Sequence, residues 1–223
     1  MRLLLIRHGQ TPANVRGELA TVRPGPGLTR FGRAQADAIP DAVAAEQIAA
    51  LYISPLLRTA ETAAPLAAAL GLDPVTLEGL EEIEAGELED RTDLPSVMTY
   101  MTTVFGWARG ELDTRMPGGI DGNEFFRRFD AAIAGIARRH PDDTVAVISH
   151  GAAIRVWAGA RAANLSADIT ANRHLENTGI AILTGSPASG WLAESWQGEP
   201  LGGPALDDHG AIDPLGDPVD EAR

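Results

Sequence analysis

The sequence predicts an α/β fold built on a central, mostly parallel sheet with helices on both faces, and three observations predict it. Short apolar runs of strand length alternate with stretches of helical pattern. Two of those runs, Leu3 to Ile6 and Thr144 to Ile148, lead into the same His-Gly pair, His8-Gly9 and His150-Gly151. A parallel sheet carries such strand ends to one rim, where α/β proteins bind ligands. Finally, 223 residues with no cysteine must be held by an apolar core of single-domain size, without disulfides, a thiol nucleophile or thiolate metal ligands.

Leu3 to Ile6 reads as the first strand and is too short for a membrane span or a signal-peptide core. Arg30 to Ala45 has Ala-rich helical patterning. Ala50 to Ile53 is a second strand, after which Ser54-Pro55 reads as an N-cap with proline in the first helical position, opening a helix that runs to Leu70 and stops at Gly71. Asp73 to Leu77 is a weak strand. Residues 92–120 form a mixed segment, expected as a cap-like insertion with exposed aromatics around Phe105 and Trp107. Asp121 to His140 reads as an amphipathic helix, with His140 after two arginines where positive charge opposes the helix dipole. Thr144 to Ile148 is the clearest strand, followed by a helix ending near Ala163. Gly179 to Leu183 and Trp191 to Trp196 are late strands.

Residues 198–223 lose all periodicity. They carry nine Gly or Pro, and residues 194–223 hold eight acids against one arginine. The expected organisation is a catalytic unit over 1–197 and a loosely packed acidic extension over 198–223, dispensable for turnover. His209 lies in this extension and His174 in a polar loop, and neither is assigned a role.

The net charge of −13 argues against nucleic acid and anionic membranes as partners, since both need clustered positive charge. With no apolar run of spanning length, a cytoplasmic protein is expected. All 18 basic residues are arginine, so any phosphate clamp here is built from guanidinium groups, which recognise oxyanions in a planar, bidentate way.

The ordered motifs LLLIRHGQTPAN, GLTRFGRAQA, YISPLLRTAETA, LEEIEAGELED and AVISHGAAIR resemble the histidine phosphatase superfamily, which includes cofactor-dependent phosphoglycerate mutases and many small phosphomonoesterases. The resemblance covers about residues 1–185 and implies a three-layer, phosphoglycerate mutase-like fold. It also implies a mechanism in which His8 takes up the phosphoryl group. Arg7 and Arg58 match the family's phosphate-binding arginines, and His150 matches its second histidine, a hydrogen-bond donor to the phosphoryl oxygens. Gly151 follows His150 at the same site, and Asn14 falls where another phosphate contact often stands.

Within Leu80-Glu81-Glu82-Ile83-Glu84-Ala85-Gly86-Glu87-Leu88-Glu89-Asp90, the family's pattern maps its general acid and later base onto Glu82. The surrounding like charges are expected to keep it protonated. The chain departs from the pattern at Ala85 and Leu88, where an aromatic is usual, and at Asp90, where glycine is usual.

These residues fit the chemistry on physical grounds. Phosphate ester hydrolysis needs a nucleophile, positive charge on the phosphoryl oxygens and a proton for the leaving oxygen. A neutral imidazole, guanidinium groups and a carboxylic acid supply the three, with neither metal nor cofactor expected. The expected activity is hydrolysis of a small phosphorylated metabolite. A phosphoglycerate mutase is the alternative, disfavoured because residues 92–117 carry only Arg109 and Arg115 to hold a second anionic group. A non-catalytic phospholigand-binding protein is a third reading, at odds with the presence of all four chemical residues. Substrate identity and oligomeric state are not legible.

Overall fold

The computed structural model describes residues 1–208, 210–211 and 213–219; His209, Ile212 and residues 220–223 lie outside the described residues. The described strands and helices follow in the order β1 (Arg2–Arg7), α1 (Pro12–Arg16), α2 (Arg30–Ala42), β2 (Ile48–Ile53), α3 (Leu57–Leu70), β3 (Val75–Thr76), α4 (Leu94–Ala108), α5 (Gly122–Arg139), β4 (Thr144–Ser149), α6 (Gly151–Arg161), α7 (Ala167–Ala171), β5 (Ile180–Ser186) and β6 (Gly190–Gln197). The strands form one sheet in the order β3-β2-β4-β1-β5-β6. The first four of these are parallel to one another, whereas β5 runs antiparallel to β1 and β6 antiparallel to β5.

Alternation along the central strands fills two cores. Leu3, Leu5, Val145 and Val147 face the layer that holds α4, α5 and α6, while Leu4, Ile6, Ala146 and Ile148 face Ile39 of α2 and Ala63 and Leu66 of α3. The near-continuous apolar reading of β1 and β4 follows from burial on both faces.

Register sets the functional rim. Ile6 pairs with Ile148 and Arg7 with Ser149, so the next residues, His8 and His150, leave adjacent strands side by side. On the other flank Ile53 pairs with Ile148, bringing Ser54 to the same edge.

Several sequence expectations change here. Two short helices, α1 and α7, carry too few residues to show a period, and each opens on a side-chain cap, from Thr11 and Ser166. Helix α3 begins at Leu57, with Leu56 in the cap position and no side-chain cap bond, so Ser54 is not its N-cap. Phe105 and Trp107, expected to be exposed, are 1 % accessible. Helix α4 buries them with Tyr100, Met101 and Val104 in the larger core, so these side chains hold the fold and cannot line an uncharged substrate subsite. The acidic segment after Trp196 is not loose in its described part: Leu201, Asp213 and Leu215 are buried.

Candidate active site

Strand ends position the two histidines. The amide of His8 donates to Ser149 O (3.0 Å), carrying the sheet ladder one step past β1. The imidazole of His8 is buried, and its Nδ1 lies 2.8 Å from Gly9 O. A carbonyl only accepts, so Nδ1 bears the proton and Nε2 carries the lone pair. Burial, followed by the charges of Arg58 and Arg7, lowers the His8 pKa well below the ordinary histidine value. The ring is therefore neutral and nucleophilic at Nε2 near neutral pH.

His150 packs edge-on to His8, with ring centroids 5.2 Å apart. Its Nδ1 accepts from Arg58 Nε at 3.2 Å, so its proton sits on Nε2, 2.6 Å from Ser54 Oγ. The Ser54 hydroxyl lies 3.2 Å from Thr59 Oγ1, which donates to the Leu56 carbonyl at 2.7 Å, and this chain of hydroxyls fixes the tautomer. Burial and then Arg58 depress the His150 pKa as well.

Both guanidinium groups are buried. Arg58 lies in the first turn of α3 and is buried, and burial above all lowers its pKa to about 10. Its Nη1 is buried without a partner among the described residues. Glu61, three positions on, is engaged elsewhere, with Arg33 (3.0 Å) and the Leu28 amide (2.7 Å). Arg7 donates from Nη1 to Leu175 O at 2.8 Å and pairs through Nη2 with Asp213, while its Nε is buried and unpartnered among the described residues. Buried donors without acceptors are costly, and an oxyanion beside the neutral imidazole is a ligand whose lone pairs can satisfy these two.

Glu82 joins the site through the backbone. Its Oε1 accepts from the Ala153 amide (2.9 Å) and the Ile83 amide (2.8 Å), and its Oε2 accepts from the Ala152 amide (3.2 Å), which seats the carboxyl on the first turn of α6 just after His150-Gly151. Its pKa is raised, and burial is the cause, opposed by those amides and by Arg58. The expectation that neighbouring carboxylates keep it protonated is thus corrected. Those neighbours are dispersed: Glu81 pairs with Arg23 and Arg128, Glu84 with Arg128, and Glu89 receives the Thr21 (2.6 Å) and Val22 (3.0 Å) amides.

Of the sequence-assigned residues, Arg7, His8, Arg58, His150 and Gly151 meet at the sheet rim, and Glu82 adjoins them. A side chain at Gly151 would come within 2.9 Å of Arg7 Nε and 2.5 Å of Leu215 O, so only glycine fits between them. Asn14 is drawn into the scaffold: its amide oxygen accepts from the Thr11 amide (2.9 Å) and hydroxyl (2.8 Å), and its Nδ2 donates to Asp213 Oδ1 (3.2 Å).

Three residues at the site carried no assignment. Ser54 stands at a strand end beside those of His8 and His150, a signal legible once the sheet order is known. Asn177 donates to His8 O at 3.1 Å, and Asp213 comes from the acidic tail. Neither has a local sequence signal.

Residues 3–197 match the family described as Histidine phosphatase superfamily (branch 1). The chain is 36 % identical over 216 residues to "PE-PGRS family protein PE_PGRS11" of Mycobacterium tuberculosis (strain ATCC 25618 / H37Rv), across 90 % of this chain but only 37 % of that protein, so it spans little over a third of that relative. It is 29 % identical over 219 residues to "Probable phosphoglycerate mutase GpmB" of Salmonella choleraesuis (strain SC-B67), covering 96 % of this chain and 99 % of the relative. A solved mycobacterial glucosyl-3-phosphoglycerate phosphatase in complex with VO3 superposes with a TM-score of 0.74 at 25 % identity, covering 89 % of this chain and 99 % of that one.

Proposed function

The chain belongs to the histidine phosphatase superfamily, and from that premise we propose that it is a phosphomonoesterase acting on a small phosphorylated metabolite through a phosphohistidine at His8. The observation that carries the reading is the His8 tautomer. A Nδ1–H tied to the Gly9 carbonyl leaves Nε2 as the free nucleophile, beside two buried guanidinium donors that lack acceptors.

In the first step Nε2 attacks phosphorus. A P–N bond forms as the ester P–O bond breaks, and the proton of Glu82 passes to the leaving oxygen. Arg7 and Arg58 meet the charge on the phosphoryl oxygens, which is where electrostatic stabilisation of phosphoryl transfer acts. In the second step water attacks phosphorus, Glu82 accepts its proton, the P–N bond breaks and His8 returns to its starting tautomer.

Hydrolysis is favoured over mutase chemistry because residues 92–117 carry only Arg109 and Arg115 to hold a second anionic group, and both already face carboxylates, Asp168 (2.8 Å) and Glu124 (3.1 Å). The test is a panel of phosphorylated metabolites with release of phosphate as the readout, followed by acid-free quenching with labelled substrate. An acid-labile phosphoryl group is expected on the peptide containing His8, and His8→Ala should abolish turnover. Full turnover by His8→Ala overturns the mechanism. Interconversion of 2- and 3-phosphoglycerate faster than phosphate release would establish the mutase instead.

A further inference from the structure

The acidic tail reaches the phosphate site. Asp213 to Gly216 are all buried, and the segment is tied to the body by Leu175 N–H to Gly216 O (2.9 Å), Val219 N–H to Ala171 O (2.9 Å) and Arg155 Nη1 to Leu215 O (3.1 Å). Its carboxylate is placed with both oxygens in use: Asp213 Oδ2 on Arg7 Nη2 and Oδ1 on Asn14 Nδ2.

We propose that Asp213 is a positioning residue of the phosphate site, which together with the Leu175 carbonyl clamps Arg7 so that its unpartnered nitrogen, Nε, is left for the transferring group. This rests on the phosphoryl-transfer reading of the site and deepens it. The guanidinium has three nitrogens. Nη1 and Nη2 each donate to one partner, Leu175 O and Asp213, and Nε is buried and unpartnered among the described residues. A planar fork fixed at one end loses little freedom when the other end takes an anion, so the ordering cost is met by folding rather than by substrate binding. The same carboxylate orients the Asn14 amide. The backbone ties, four consecutive buried residues and the close fit at Gly151 and Gly216 make this strap part of the site wall. They argue against an anion that substrate must displace.

The test compares Asp213→Asn, which keeps the shape and removes the charge, with Asp208→Asn, a tail acid that accepts from Gln10 Nε2 at 2.8 Å. Affinity for inorganic phosphate is read by calorimetry and kcat/KM on the best ester from the panel. Loss of one charged hydrogen bond predicts that Asp213→Asn weakens both by about 10- to 100-fold, with Asp208→Asn unchanged. In an Arg7→Lys background, where the fork is gone, Asp213→Asn should cost nothing further.

A rise in kcat/KM in Asp213→Asn would make the carboxylate a competing anion and overturn the proposal. So would full additivity with Arg7→Lys, which would reduce Asp213 to a packing role. If the wild-type chain binds phosphate but turns over no ester, the phosphatase reading fails while the calorimetric comparison still decides Asp213. If it does not bind phosphate, both fall together.

Discussion

Glu82 and Glu81 are adjacent in sequence, chemically identical and physically opposite. Glu82 is 0 % accessible with a raised pKa, whereas Glu81 pairs with Arg23 and Arg128 and accepts the Gly79 amide at 2.6 Å. A general acid matters in proportion to the leaving group's need for a proton, typically ~10² to 10⁴-fold in rate. Glu82→Gln should therefore slow hydrolysis of alkyl phosphates by that order, yet leave the single-turnover burst with p-nitrophenyl phosphate much less affected, because phenolate leaves unaided. Glu81→Gln should be near wild type with both. Equal slowing of both bursts by Glu82→Gln would mean that the carboxyl acts through its field or by holding α6. The motif spacing picked out Glu82. It did not give the reason for the raised pKa, because burial depends on Tyr100 and the start of α6, both remote in sequence.

The loop that carries Glu82 shows how an element tolerates a departure from its family pattern. Asp90 stands where the family usually has glycine, and its φ of 61° is left-handed, a conformation that costs L-residues about 1–2 kcal/mol, less for Asp than for most. Its amide donates to Leu19 O at 3.0 Å, so the strained turn locks the Glu82 segment to the loop after α1. Asp90→Gly is expected to stabilise the fold by up to about 1 kcal/mol, part of the relief being offset by the greater freedom of glycine in the unfolded chain. Denaturant melts would check this, and a destabilised variant would mean that the Asp90 side chain contributes more than its backbone costs. Tyr100 of α4 supports the same loop, donating from its hydroxyl to Ile83 O at 2.9 Å. The mixed segment that looked like an insertion is thus a core helix under the acid loop.

For the whole molecule, the proposed mechanism draws its positive charge from Arg7 and Arg58, on β1 and α3, and so predicts that no divalent ion is required. Activity should survive a chelator, and vanadate, which can adopt the transition-state geometry, should inhibit. Loss of activity in chelator that one divalent ion restores would instead direct attention to His174, Glu176 and Asp217, whose possible ligand atoms lie within 4.8 Å of one another. Sequence could not bring that trio together, since Asp217 belongs to the strap. No described helix is long and apolar enough to cross a membrane.

Local pattern gave the strands and the long helices other than α4, and pointed to His8, Arg58, Glu82 and His150, because strand ends and motif spacings are properties of short windows. The tertiary structure alone decided which hydrogen bonds fix the His150 tautomer, why the Glu82 pKa is raised, and that the described part of the acidic tail packs beside Arg7. The His150 tautomer, the burial of Glu82 and the seat of the tail depend on contacts between residues far apart in the chain, such as Ser54 with His150 and Arg7 with Asp213, and no periodicity or composition records which distant groups burial will bring within hydrogen-bond reach.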